Sequence, residues 1–360
     1  MALAIDVGQL CAVRADLQNA ADSAALAGAS AYFSNAGLVQ NYPGMNTLVR
    51  GRADQFSELN ESFAASGTLI EYDDVILGAH DFHNRNAPID ESGTPRYNAV
   101  QVTVRRAPDS LNGSVVFTFA KLLGIDEGSV SATGVAAIDD RFAGVRILEE
   151  SNPNMIPFTV ELQLHDQMIA SGTDQFSYSD DSVSNLGDGV GEVNIYPWKA
   201  NNGNGQSSNN SGAGNFGLLD FDVKTNKDLE RQILTGLTPA EVESVMGTNA
   251  PVYYDDAGDP VTYTTPGEPG LRASLGDAVA ERVGDVVGYF VHDTVSGTGS
   301  NTVYRNVGVR FGRIMEIQLT GSMNNKRLVI QPTAYTGASV IVSESAPSSG
   351  GLAGRIRLVH

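Results

Sequence analysis

The stretch Leu17-Gln18-Asn19-Ala20-Ala21-Asp22-Ser23-Ala24-Ala25-Leu26-Ala27-Gly28-Ala29 decides how this chain begins to fold. Between Ala20 and Ala31, ten of twelve residues are Ala, Gly or Ser, and no Pro interrupts them. Alanine is the best helix former, so the run predicts a helix. Followed outward, the helical pattern extends from Val7 to about Phe33, a length of roughly 40 Å. Leu10, Val13, Leu17, Ala20, Ala24, Ala27 and Ala31 recur at alternating spacings of three and four, which makes a heptad-like seam. Arg14, Gln18 and Asp22 fall on another face. Ala20, Ala24 and Gly28 form a small-xxx-small repeat that lets a second backbone approach closely. Two uses fit such a seam. One is packing on the chain's own domain. The other is association with a second copy or a partner helix through Leu10, Val13, Leu17, Ala20, Ala24 and Gly28.

Composition narrows the class. The chain has 360 residues, which as a soft prior suggests about two domains. Hydrophobic residues make up 41%, enough for real cores. Charged residues are only 18%, against a usual ~25%, and Gly contributes 39. Polarity through Ser, Thr, Asn and Gly suits a β-rich secreted or surface protein. Acids outnumber bases 42 to 23, for a net charge of -19. A nucleic-acid binder needs a basic footprint, so that class is excluded, and an anionic membrane surface is disfavoured. With one cysteine, Cys11, neither an internal disulfide nor a Cys-rich zinc site can form. No run of 18 apolar residues occurs, so no complete transmembrane helix is expected. Met1-Ala2-Leu3-Ala4-Ile5 reads as the tail of one.

Further along, Thr47 to Ala65 predicts an amphipathic helix with Leu48, Ala53, Phe56, Leu59 and Phe63 apolar. Thr68 to Leu77 and Arg96 to Arg106 predict strands. Phe117 to Gly124 predicts a short amphipathic helix capped by Gly124 in the left-handed conformation. A strand follows with Val130, Ala132, Gly134, Ala136 and Ile138 on one face; its small residues invite the N-terminal helix. Asn201 to Gly214 has thirteen Gly, Asn, Ser or Gln among fourteen residues and predicts a flexible loop. Helices are expected over Leu229 to Gly236 and Pro239 to Met246, the latter with Thr238 as N-cap. Strands are expected over Asp285 to His292, Thr302 to Phe311 and Arg327 to Gln331, with a bulge at Gly312 and Met315, Ile317 and Leu319 facing inward. The expected fold class is α+β, a long Ala-rich helix on a small α+β module followed by a β-rich domain of mainly antiparallel strands. The expected divisions are 1–34, 35–143 and 144–360.

Ala4-Ile5-Asp6-Val7-Gly8, Arg14 and Leu17 to Ala29 resemble the N-terminal signature of TadG-like proteins of the tight-adherence (Flp) pilus-assembly system. Phe117 to Ile125 with Val130 to Ala137 is similar to the end of that family's N-terminal module. Gly308-Val309-Arg310, Leu319-Thr320-Gly321 and Val329-Ile330-Gln331-Pro332 resemble a family ending more weakly. The resemblance implies a helix that continues from a single transmembrane span, so membrane attachment is expected only if such an anchor precedes it. It also implies a short variant without the von Willebrand-type adhesion domain of larger members.

Catalytic motifs are scarce. H-E-x-x-H, G-x-S-x-G and the P-loop do not occur, and Gly187 to Gly191 does not fit G-x-G-x-x-G. His80-Asp81-Phe82-His83 offers two imidazoles without a third ligand, and His292-Asp293 resembles only a fragment of a phosphohydrolase motif. Asp180, Asp181, Asp188 and Glu192 crowd one acidic loop, and Asp255, Asp256 and Asp259 crowd another. Calcium is therefore the candidate cofactor, although neither loop is a complete cage and solvated turns explain both. The leading expectation is a non-enzymatic, cell-envelope component of pilus assembly, outside the cytoplasmic membrane. It would contact itself or pilin-like proteins through the N-terminal helix, with no nucleic acid and no resident cofactor. A calcium-dependent adhesin and a secreted hydrolase are the alternatives.

Overall fold

A computed structural model of the chain describes residues 2–33, 44–62, 67–84, 87–93, 97–150, 152–196, 201–202, 206–207, 217–268, 280–319, 325–349 and 353–359. The chain divides into two units, Met1–Asp139 with Ile356–His360, and Asp140–Arg355. Helices and mostly antiparallel strands give the α+β class that the sequence implies.

In the first unit, helix α1 runs over Ala2–Ser30 and ends in a 3-10 turn, Ala31–Phe33. Helix α2 spans Met45–Glu58. The strands are β1 (Val75–Gly78), β2 (Ala99–Arg106), β3 (Val115–Val116), β4 (Glu127–Gly128) and β5 (Val130–Asp139). β1, β2 and β5 form an antiparallel sheet with Val75 opposite Val102 and Val102 opposite Gly134. Ala132, Gly134, Ala136 and Ile138 of β5 are buried as the alternation requires. Val13, Leu17, Ala20, Ala21, Ala24 and Ala25 share one core with Val100, Val102, Val104, Val49 and Ala53.

Two elements differ from the sequence pattern. Helix α2 buries Val49, Ala53 and Ser57, while Phe56 and Leu59 are exposed. The Ala-rich face of α1 leaves room only for small neighbours, so spacing of small residues, not of large ones, sets the buried stripe. The helix stops at Glu58, where Ser57 Oγ donates to Thr68 O and Thr68 Oγ1 donates back to Ser57 O; Phe63 lies outside the described residues. Between Thr68 and Leu77 only β1 is strand, preceded by a 3-10 turn at Tyr72–Asp74 that Glu71 and Asp74 cap reciprocally.

The second unit holds β6 (Phe142–Val145), β7 (Met155–Glu161), β8 (Ser177–Ser179), β9 (Ser182–Ser184) and β10 (Val193–Tyr196). It continues with β11 (Asn201–Asn202), β12 (Gln206–Ser207), β13 (Tyr263–Pro266), β14 (Val286–Ser296), β15 (Val303–Gln318) and β16 (Arg327–Pro332). β17 (Tyr335–Thr336) and β18 (Val340–Val342) follow, and β19 (Ala353–Leu358) begins in this unit and ends in the first. Its main sheet has the order β10-β16-β15-β14-β7, antiparallel except for β14 with β7. Both faces are covered. Val287, Tyr289 and Val291 enter one core and Phe290 enters another, so Val286 to His292 reads as a continuous apolar run.

Helices α3 (Leu162–Ser171), α4 (Asn226–Thr235) and α5 (Pro239–Met246) sit in this unit. Thr238 caps α5 as its sequence implies, in a reciprocal pair with Glu241. The expected bulge at Gly312 is instead regular pairing, with Gly312 opposite Pro332 and Val287. A Cβ there would fall 2.7 Å from the Gln331 carbonyl oxygen, so the glycine serves close approach. The register shift between β15 and β16 falls between Ile314 and Glu316, and both Ile314 and Met315 are buried. Of the low-complexity run, only the β11–β12 ladder lies within the described residues. The Gly321 to Asn325 turn lies almost wholly outside them.

Candidate functional site

Burial sorts the N-terminal helix into faces. Val13, Leu17, Ala20 and Ala24 are fully buried in the first core, and Leu10 packs half-buried at its edge. At Gly28 a Cβ would lie 3.2 Å from Val100 Cγ1 and 3.4 Å from Ala53 Cβ. The seam therefore holds α1 to its own sheet and to α2. These contacts are made within the unit. The face that stays open carries Gly8, Cys11, Ala12, Ala15 and Asn19, all exposed.

The start of α1 is pinned by its one charge. Asp6 is buried, and its carboxylate accepts the backbone N–H groups of Thr118 at 2.9 Å, Phe119 at 3.0 Å and Ala120. Burial pushes its pKa up, but the three amides outweigh that and hold the carboxyl below its ordinary range. Gln9 Nε2 donates to Val116 O. The anchored segment turns through the 3-10 residues Ala120–Leu123 and reverses at Gly124, where φ is +80°. It is no amphipathic core helix. Leu122 is 84% exposed and Leu123 68%.

Among the described residues, the histidines do not assemble into a catalytic set. His80 is buried with its ring edge-on to Phe82, while His83 is exposed. His292 points into the core, 2.8 Å from Thr159 Oγ1 through Nδ1. Asp293 turns outward to a two-point ion pair with Arg305. Burial lowers the His292 pKa to about 4. The His–Asp pair is thus split across the sheet by strand alternation.

Sequence reading misses His165. It lies on α3 with Nε2 2.9 Å from the Tyr289 hydroxyl and Nδ1 3.1 Å from Asp166, and burial lowers its pKa. It lines a cavity of about 220 Å³ with Phe142, Tyr253, Tyr254, Phe311 and Arg310. Ser348 and Ser349 also line it, but their hydroxyls donate to Asp140 and to Ala353 O. Both nitrogens of His165 are engaged, so it offers no base to either serine.

The acidic turns are internally occupied. Asp174 accepts from the N–H groups of Asp188 and Gly189, and Glu192 from those of Gln175 and Phe176. Asp188 accepts from Val190 N and Gln331 Nε2, and Asp255 from Ala257 N and Asp259 N. Burial raises the pKa of both Asp188 and Glu192. Asp180-Asp181-Ser182-Val183-Ser184 spells D-x-S-x-S. The letters sit on the β8–β9 hairpin with both aspartates at positive φ. Among the described residues no three His, Cys, Asp or Glu side chains gather closely enough to hold a metal ion, and no helix is long and apolar enough to cross a membrane.

Known proteins resemble this chain in one region. Residues 7–136 match the family described as "Putative Tad-like Flp pilus-assembly". The match runs from the second turn of α1 into β5 and so takes in most of the first unit. No curated protein and no solved structure matches the chain. Residues 7–136, about a third of the chain, are thus similar to the Tad-like Flp pilus-assembly family.

Proposed function

We propose that the chain is a non-enzymatic structural component of Flp pilus assembly, standing outside the cytoplasmic membrane and contributing to surface filaments and adherence. The family match over residues 7–136 carries the reading. The Gly- and Asn-rich second unit, in a chain of net charge -19, suits a hydrated outward-facing layer. Catalysis needs acid, base or nucleophile within hydrogen-bond reach of one another, and the engaged His165 and the core-bound His292 supply no such set. Contacts with pilin-like proteins or a second copy would be made through the N-terminal helix, whose open face carries Gly8, Cys11, Ala12, Ala15 and Asn19.

Deleting the gene tests the reading. Surface filaments and attachment should fall while growth and metabolism continue. A deletion strain with normal filaments and adherence but a missing hydrolytic activity would overturn it and direct attention to His80, His83 and His292.

A further inference from the structure

We propose that the cavity beside His165 in the second unit is a binding site for a small carboxylate whose apolar body has the size of a single ring, its charge held by Arg310. The inference goes beyond the pilus reading and does not depend on it.

The cavity lies where the sheet is interrupted. β15 pairs with β14 from Val303 to Arg313, but on its other side β13 covers only Val303 to Asn306, and β16 begins opposite Gly312. Among the described residues, Val307 to Phe311 therefore have no strand beside them on that side, and all of them line the cavity. Gly308 keeps the space clear. A Cβ there would lie 3.1 Å from Val291 Cγ2 and 3.4 Å from Arg310 Nη1.

Size and walls set the body of the ligand. Phe142, Leu162, Ile169, Tyr253, Tyr254 and Pro347 help enclose about 220 Å³. An apolar cavity of ~150 Å³ already admits benzene, so a ring with a short acidic tail fits here, and a nucleotide or a partner helix does not. Small-molecule sites are mostly apolar, with a few polar groups that fix orientation. Tyr253 supplies one such group, because its buried hydroxyl has no hydrogen-bond partner among the described residues. A buried hydroxyl without a partner is costly, and a ligand oxygen beside Tyr253 removes that cost.

Charge selects the head group. Arg310 stands directly across from Tyr289 in the β14–β15 ladder, so both side chains rise on one face of the sheet. Arg310 is half-buried, and its hydrogen bond from Nη1 to Val309 O leaves the rest of its fork unused. Among the described residues, no carboxylate lies within ion-pair distance of it. Arg282, Arg305, Arg327 and Arg357, in contrast, each hold an Asp or Glu. In a chain with 42 acids against 23 bases, a cavity arginine without a carboxylate is a cation open to a ligand, and its planar fork suits a carboxylate at two points. Burial first, and the Arg310 charge after it, lower the His165 pKa, so at neutral pH the ring adds no second cation. Asp166 also lines the cavity, with its side chain 64% exposed, and it repels further negative charge. A monoanion therefore fits better than a phosphate or a dicarboxylate.

Isothermal titration calorimetry of the full chain with phenylacetate tests this, with phenylacetamide and phenyl phosphate as controls. Phenylacetate should saturate a single site in the millimolar range or below. It should bind at least roughly tenfold tighter than the neutral amide or the dianion. Arg310→Gln should weaken phenylacetate by a similar factor, leave phenylacetamide unchanged, and keep the circular dichroism spectrum and melting temperature of the parent. Absence of saturable phenylacetate binding overturns the proposal. So does equal affinity of the parent for acid and amide, a comparison that stands even where Arg310→Gln fails to fold. Equal phenylacetate affinity of the folded variant and the parent also overturns it, because the acid then binds elsewhere. Phenyl phosphate binding as tightly as phenylacetate would assign the site to dianions and overturn the carboxylate.

Discussion

Gly134 of β5 lies beneath Ala21 of α1 so closely that a Cβ on it would come within 2.7 Å of the Ala21 carbonyl carbon. Its neighbours on β5, Ala132 and Ala136, are also small and buried. The Ala-rich helix and the Ala/Gly strand are therefore two halves of one close packing. Backbone cannot yield as a flexible side chain can. Gly134→Ala should destabilise the first unit by about 1–3 kcal/mol, and Gly134→Val should prevent its folding. Thermal unfolding followed by circular dichroism checks this. An unchanged melting temperature for Gly134→Ala would mean that α1 does not sit on β5.

The seam makes a related prediction with a distinguishing readout. Ala24 is fully buried and Gly28 faces Val100 and Ala53, so Ala24→Leu and Gly28→Leu should each overpack the core at about 1–3 kcal/mol. Both should lower the melting temperature of the isolated chain at any concentration. If light scattering instead shows a smaller assembly while the melting temperature holds, the seam works between copies after all.

What could be read from sequence was local. Helix α1 and the Thr238-capped α5 follow from Ala content and a capping pattern, and β5 follows from strict alternation. Where the reading failed, the deciding partner was distant. Phe56 and Leu59 look like the buried stripe of α2 until the flat face of α1 demands Val49, Ala53 and Ser57 instead. Leu122 and Leu123 read as part of a short amphipathic helix because nothing local says that no core lies there. The His165 cavity draws its walls from Phe142, α3, Tyr253, β15 and Ser348, segments that share no spacing. Asp6 did leave a signal, a single acid in an apolar helix start, which asks for a partner.

That latch predicts an acid-sensitive first unit. The folded pKa of Asp6 is depressed below 3.8, so its contribution is present above the unfolded value and is lost as pH falls through the folded one. Asp6→Asn keeps the shape but cannot carry the charge that the three amides bind. The variant should melt lower than the parent at pH 6, and the difference should shrink as the solution is acidified through the folded pKa. A constant difference across that range would show that Asp6 acts by shape alone.

Calcium should change little. The carboxylates of Asp174, Asp188, Glu192 and Asp255 already accept backbone amides, and a cation would have to displace those donors to gather the six to eight oxygens it prefers. Melting temperatures in millimolar calcium and in chelator should agree within about a degree, since the linkage is negligible when the free ion stays below its dissociation constant. A rise of many degrees with calcium would establish a site at the Asp188 or Asp256 turn and revive the adhesin alternative.

The second unit carries its own pH dependence in His292. Burial lowers the folded pKa to about 4, against an ordinary 6.5. The unfolded chain therefore binds a proton between these values that the folded chain does not, and stability rises with pH across that window. The stabilisation is complete above pH 6.5 and is lost as pH falls toward 4. A shift of about 2.5 units, from 6.5 to about 4, corresponds to roughly 3 kcal/mol. His292→Gln removes the titration and keeps an amide for the Thr159 hydroxyl. Urea unfolding of the two proteins from pH 4 to pH 7 should show the parent losing stability faster as the solution is acidified, while the variant, weaker at neutral pH, changes less. Parallel curves would mean that His292 is protonated inside the fold, and that the Thr159 contact holds a cation where the geometry calls for a neutral ring.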